Sequence, residues 1–252
     1  MTNQFQLGWK KDPEDVRDVV SARALAAPKK LPYKFQLPVD LPIYDQGPIG
    51  SCTANSGCSC YMYECMEKYL EFNPSRLFLY YNTRLIEGTT EEDSGAYIRD
   101  TFKSMNKHGV CSEKMWQYDV NRFTQKPNDA AYTDALTHKA IQYARVPQDK
   151  FAIQRTLLTG AAISFGFYVY ESFMKGNWHR ISGKMPIPKS TEKLLGGHAV
   201  TIVGYDNRKR SFLIQNSWGE GWGIKGKFWM PYAYLLDPSR ADDFWCIESC
   251  TL

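Results

Sequence analysis

Residues 45–60 read Asp45-Gln46-Gly47-Pro48-Ile49-Gly50-Ser51-Cys52-Thr53-Ala54-Asn55-Ser56-Gly57-Cys58-Ser59-Cys60. Gly47, Pro48 and Gly50 make the first part a tight turn. Ser51 is a candidate N-cap, and the spacing predicts a helix from Cys52 to about Glu71. The first turns hold mostly small side chains, Ala54, Ser56, Gly57, Cys58, Ser59 and Cys60. Small residues all round let neighbours approach from every direction, so a buried central helix is expected, with Cys52 in its first turn.

Toward the N-terminus, residues 1–38 read as an irregular arm. Asp12-Pro13-Glu14-Asp15 is polar and Pro28, Pro32 and Pro38 punctuate the rest. Phe5, Leu7, Trp9, Val16, Val19, Val20, Leu25, Leu31, Tyr33 and Phe35 nevertheless recur along it, and such side chains favour leaving water. The arm is read either as a strap over apolar surface of a β-rich lobe or as a segment that lies over Cys52 and gates it. Toward the C-terminus, helices are expected over 75–86, where Leu77, Tyr80, Tyr81 and Leu85 keep helical spacing, and over 96–107. Residues 112–130 read as loop, 132–144 as irregular or extended, and 148–159 as a short helix. The texture then changes: 161–170, 200–205, 211–215 and 227–230 read as strands. A mainly helical segment over 39–145 followed by a β-rich one over 146–252 predicts an α+β fold of two lobes with a cleft between them.

Only four histidines are present. His108, His138 and His179 fall at a helix end, in a polar stretch and in a Gly/Trp loop, all ordinary surface settings. His198 follows Gly196-Gly197 and opens the apolar strand Ala199-Val200-Thr201-Ile202-Val203, which predicts an exposed, positioned ring. His198 and Asn216 lie nine residues either side of Asn207. Antiparallel strands that turn there bring both to one end of the hairpin, where an amide can fix the imidazole tautomer. A thiol at a helix N-terminus feels the positive end of the dipole, which lowers its pKa. Cys52 beside His198 therefore predicts a thiolate–imidazolium pair, with the Cys52 N–H and the Gln46 side-chain amide as oxyanion donors.

Thirty-one Lys and Arg against 27 Asp and Glu leave a net charge of +4. The basic residues are scattered, so a nucleic-acid partner is not expected. The longest near-apolar run, 160–170, is too short to span a bilayer. The first residues lack a charged-then-apolar signal pattern. If the sequence is the whole translated chain, secretion is not expected and reduced thiols are. The seven cysteines are an odd number, and Cys58, Cys60 and Cys65 lack zinc-site spacing. They read as small buried residues, while a Cys246–Cys250 bridge stays open.

Three stretches together, 46–52 (Gln-Gly-Pro-Ile-Gly-Ser-Cys), 196–200 (Gly-Gly-His-Ala-Val) and 215–223 (Gln-Asn-Ser-Trp-Gly-Glu-Gly-Trp-Gly), resemble the papain-like cysteine proteases of the papain and cathepsin family. That family carries C-G-[SA]-C-[WY] with His and Asn roughly 130–150 residues downstream; here His198 lies 146 and Asn216 164 beyond Cys52. The resemblance covers roughly 36–252. Ile49 and Thr53 depart from the usual Cys and Trp of the motif, and the variant looks more like microbial or viral members than animal cathepsins. The resemblance implies a helical lobe and a β-barrel-like lobe with the active site between them. It implies a cysteine peptidase acting on polypeptides, with catalytic Cys52, His198 and Asn216, an oxyanion hole from Gln46 and Cys52, and Trp218 shielding the His198–Asn216 bond. Ser94, Gly95, Gly197 and Ala199 are the substrate-binding candidates. No metal or organic cofactor and no membrane partner are expected; the oligomeric state stays open. The alternative is a non-catalytic or transpeptidase-like binding protein on the same scaffold.

Overall fold

The computed structural model describes residues 5–25, 30–38, 41–65 and 72–251. The stretch around Cys52 does what its composition demands. Helix α2 (Cys52–Cys65), which follows the four-residue α1 (Ala22–Leu25), is buried along almost its whole length; the expected continuation to 71 falls outside the described residues. On one side Gly57 meets helix α4 (Ile98–Lys107), where a Cβ would sit 2.7 Å from Met105 Cε and 2.8 Å from Thr101 Cγ2. On another side its polar residues face the sheet. Ser56 Oγ meets Ser164 Oγ at 2.8 Å and Thr201 Oγ1 at 2.9 Å, and Tyr63 Oη donates to Gln215 Oε1 at 3.2 Å. These buried polar groups are thus paired between helix and sheet. Ser51 is not the side-chain cap expected: its hydroxyl meets Tyr118 Oη at 2.6 Å and Asn55 Nδ2 at 3.0 Å, while its carbonyl accepts from Asn55 N.

Helix α3 (Arg76–Glu87) starts on Ser75, whose Oγ accepts from Phe78 N, and stops on Gly88 at φ +73°. The segment 132–144 is neither wholly irregular nor wholly extended. Asn128 caps helix α5 (Asp129–Ala135), and a strand, 140–145, follows. Helix α6 (Lys150–Leu158) is capped by Asp149. The remaining helices, α7 (Glu171–Met174), α8 (Trp178–Ile181) and α9 (Tyr232–Leu235), are single turns.

Nine strands are described: β1 (Trp9–Lys10), β2 (Lys34–Gln36), β3 (Ala96–Tyr97), β4 (Ala140–Arg145), β5 (Ile163–Tyr170), β6 (Leu194–Asp206), β7 (Ser211–Gln215), β8 (Lys227–Pro231) and β9 (Ala241–Cys250). Seven form one antiparallel sheet in the order β4-β9-β5-β6-β7-β8, with β2 added to β6. The outer strands β4 and β8 do not pair, so the β-rich lobe is an open sheet rather than a closed barrel. The sheet takes in β4, ahead of residue 146, because β4 pairs with β9. Every residue of β7 is buried, the mark of a strand covered on both faces. Phe165, Phe167, Ile202, Phe212, Phe228 and Trp245 lie in this core. Cys246 and Cys250 sit four residues apart on β9, about 13 Å along a strand, too far to bridge. Cys250 Sγ instead lies 2.7 Å from Cys65 Sγ.

The arm makes several separate contacts. Residues 5–12 run between the lobes, with β1 parallel to β3. Val20 bridges to Arg145, and β2 extends the sheet at β6. Val16, Val19, Val20, Leu25 and Tyr33 remain exposed, so much of the arm's apolar surface stays in water, contrary to expectation. No helix among the described residues is long and apolar enough to cross a membrane.

Candidate active site

Strand β6 carries His198, and the turn after β7 carries Asn216. Their side chains meet, His198 Nε2 to Asn216 Oδ1 at 2.8 Å. The residues pair as Thr201↔Gln215 and Ile202↔Ile214, then shift by one before Gly204↔Leu213. Counting about Asn207 therefore misses the register: extending these pairs puts Asn216 opposite Val200, and its side chain meets that of His198 diagonally. The Ser217 N–H also donates to Asn216 Oδ1, at 2.8 Å. A backbone N–H can only donate, so this bond fixes the oxygen of the amide. His198 Nε2 must then carry the proton it gives to that oxygen. Its Nδ1 is left with a lone pair, buried and without a hydrogen-bond partner among the described residues.

Cys52 opens α2 with its sulfur facing the backbone N–H groups of Ala199, Gly8, Thr53 and Cys52 itself. Ala199 adjoins His198, so thiol and imidazole share one corner of the cleft. Gln46 is buried, and its orientation is also fixed. Nε2 donates to the carbonyls of Gln6 at 2.9 Å and Ile49 at 3.0 Å, while Ser217 Oγ donates to Gln46 Oε1 at 2.8 Å. Ser217 thus holds both amides of the site. Nothing in the sequence reading singled it out, although its place beside Asn216 was the available signal. Trp218 lies over His198 with ring centroids 4.8 Å apart and an interplanar angle of 27°. Phe5 of the arm stacks on Trp218 at 4.7 Å.

The arm closes this corner. Gly8 O accepts from Ala96 N at 2.8 Å. A Cβ on Gly8 would stand 2.0 Å from Gly50 O, and one on Gly95 2.1 Å from Gly8 O; only glycines let the three backbones come together. Trp9 lies on Gly166 and Gly197, and its Nε1 donates to Asp243 Oδ2 at 3.0 Å. Of the substrate-binding candidates, Gly95 and Gly197 therefore face the arm, and Ala199 faces the thiol. Ser94 Oγ turns to Thr89 Oγ1 and the Gly95 carbonyl. Phe5, Gln6, Gly8 and Trp9 are site neighbours that the sequence reading did not assign to particular positions.

Closure reverses two expectations. His198 is buried rather than exposed, and the thiol is raised rather than lowered. Burial pushes Cys52 up to about 11, with the surrounding N–H groups pulling down against it. Burial likewise pushes His198 down to about 4, against the bond to Asn216. Burial removes the solvation that either charge needs. Both shifts disfavour the charged forms of the two groups.

Fold and site together define a two-lobed cysteine peptidase. The chain belongs to the papain family of cysteine proteases, whose sequence profile matches residues 38–234. It is 44% identical over 225 residues to an uncharacterized peptidase C1-like protein, L477, of Acanthamoeba polyphaga mimivirus, covering 85% of this chain and 72% of that one. It is 28% identical to the cathepsin B-like CP3 of Giardia intestinalis, covering 81% and 69%. The crystal structure of xylellain, a cysteine protease from Xylella fastidiosa, superposes with a TM-score of 0.88 at 40% identity, over 99% of this chain and 98% of that one. Procathepsin B S9 from Trypanosoma congolense shares the fold, with a TM-score of 0.71 at 19% identity over 89% and 80%.

Proposed function

We propose that this peptidase cleaves peptide bonds by acyl transfer through Cys52, and that residues 5–12 gate the reaction. With the arm out of the cleft, Cys52 gives its proton to His198 Nδ1, and the thiolate attacks the substrate carbonyl. The Gln46 Nε2–H and Cys52 N–H take the negative charge that develops on oxygen. His198 protonates the departing amine, then activates the water that releases the acid. Asn216 holds the imidazole with Nδ1 toward the thiol, and Trp218 keeps water off that bond.

The observation that carries this reading is the pair of donors on Asn216 Oδ1, from His198 Nε2 and Ser217 N, since it leaves Nδ1 as the base. The gate rests on the Gln6 carbonyl, which takes the Gln46 N–H that an oxyanion needs. The test is hydrolysis of a fluorogenic peptide by the full chain and by Cys52→Ala, with stoichiometric alkylation of Cys52 measured alongside. Loss of turnover in Cys52→Ala and of one alkylation equivalent is expected. Equal turnover in the two chains would sink the mechanism.

A further inference from the structure

Outside the catalytic corner the arm is anchored at a second place. Asp12 and Asp243 have fully buried side chains. The Asp12 N–H donates to Asp243 Oδ2 at 2.7 Å, beside the Trp9 Nε1 bond to the same oxygen. Asp12 accepts from Trp245 Nε1 at 2.8 Å and Arg99 N at 3.2 Å. One nitrogen, Arg145 Nη2, reaches both carboxylates, at 3.4 Å from Asp12 and 3.3 Å from Asp243.

The remaining nitrogens of Arg145 and the other cations nearby are committed elsewhere. Arg145 Nε lies 2.6 Å from Asp18 and its Nη1 3.8 Å from Asp242. Arg99 pairs with Asp18 at 2.7 Å, and Lys11 with Asp242 at 2.7 Å. Four carboxylates, Asp12, Asp18, Asp242 and Asp243, thus face three cations, Lys11, Arg99 and Arg145. On the rim, Asp15 pairs with Arg17, and Glu14, Lys103, Tyr143 and Tyr168 complete the surroundings. Within this cluster only Asp12 and Asp243 are fully buried, and they share the one cationic nitrogen of Arg145; a proton on either carboxylate relieves that imbalance.

We propose that the Asp12–Asp243 pair is a proton-operated latch, which holds the arm in the cleft while one proton is bound there and loosens it as that proton leaves with rising pH. This deepens the gating reading and rests on it. Burial, then the Asp243 carboxylate, raises Asp12 to about 7 in the docked arm; on a released, solvated arm Asp12 returns to the ordinary value of about 4. The docked state holds its proton more tightly. Docking is therefore strongest below about 4, weakens between about 4 and 7 by up to tenfold per pH unit, and is level above. The Cys52–His198 pair adds no slope across neutral pH, because it carries one proton both as thiol and imidazole and as thiolate and imidazolium.

The test is hydrogen exchange of the arm amides in the full chain carrying Cys52→Ala and His198→Gln, which removes that pair's titration. Protection over residues 8–12 should fall at least tenfold between pH 5 and 7. Adding Asp12→Asn should leave it flat, whatever its level, and so should Asp243→Asn, since asparagine tolerates the φ of +58° at that position. With the catalytic pair intact, the rise in Cys52 alkylation from pH 5 to pH 8 should be at least tenfold smaller in Asp12→Asn than in wild type. Protection that is flat with Asp12 present, or equally sloped in both asparagine variants, overturns the latch. Because exchange is read in a chain without chemistry, that result leaves the peptidase reading to stand or fall on peptide cleavage.

Discussion

The side-chain amide of Gln46 donates to the backbone carbonyl of Gln6 at 2.9 Å. One N–H therefore serves two states: it binds the arm when the cleft is closed, and by our reading the oxyanion when it is open. Gln46→Ala should move two rates in opposite directions. Peptide hydrolysis should fall roughly 10²–10³-fold, the usual cost of one oxyanion donor. Alkylation of Cys52 should speed up, because the arm loses a buried bond. A parallel fall in both rates would place Gln46 in the framework alone.

Single removals at the catalytic corner should be unequal. Cys52→Ala and His198→Ala should each cost about 10³-fold or more in kcat/KM, since nucleophile and base act as a unit. Asn216→Ala should cost less, about 10–100-fold, because the base remains and only its orientation is lost. The measurement is kcat/KM on one peptide for all three, with the fold of each variant checked by circular dichroism. An Asn216→Ala loss as large as that of His198→Ala would make the amide more than an orienting group.

The acid limb of stability carries the mark of His198. Its folded value is depressed to about 4 from 6.5. The folded state thus resists protonation, and the contribution is present above about 6.5 and lost as pH falls toward 4. Asp12, raised to about 7, has the opposite sign over the same range, so the wild-type profile alone hides the effect. The difference in unfolding free energy between wild type and His198→Gln isolates it. That difference should shrink, in the direction of the variant, between pH 6.5 and 4. A constant difference would mean the imidazole is solvated in the folded chain.

The reach of the sequence depended on the range over which each signal acts. The turn at 45–50 and the small residues of α2 are local, and they placed Cys52 in a buried first turn. His198 and Asn216 were brought together by simple counting, although the observed pairs are centred at least one residue beyond Asn207; the two side chains reach across the offset. Strand β9 was missed because its second and third residues are Asp242 and Asp243, the latter at φ +58°, charged residues that hide a strand pattern. Helix α5 was missed because seven residues with two buried positions give no period to read. The course of the arm was the least legible part. It depends on Gly8 meeting Gly50 and Gly95 across long stretches of chain, and β1 is only two residues long. The directions in which the thiol and imidazole shift follow from burial, which a linear sequence does not display.

Gly8 offers the sharpest separation of gate from strap. A Cβ at that position would lie 2.0 Å from Gly50 O and 2.6 Å from Gly50 C, both backbone atoms that cannot swing aside. Gly8→Ala should therefore expel residues 5–12 from the cleft. The substitution adds one methyl and touches none of Cys52, His198, Asn216 or Gln46 by side chain. The sheet core of Phe165, Phe167, Phe212 and Phe228 is formed without it. If the arm gates the cleft, Gly8→Ala should raise both peptide hydrolysis and Cys52 alkylation at least tenfold at neutral pH, with the thermal midpoint falling by a few degrees at most. If residues 5–12 are only a strap, the midpoint should fall while both rates stay at the wild-type level. Water returning to Cys52 should also bring the thiol down from about 11, because it is chiefly burial away from water that holds the thiol up. The pH at which alkylation reaches half its plateau should accordingly move to lower pH in Gly8→Ala than in wild type, and an unmoved midpoint with unchanged rates would reject gating.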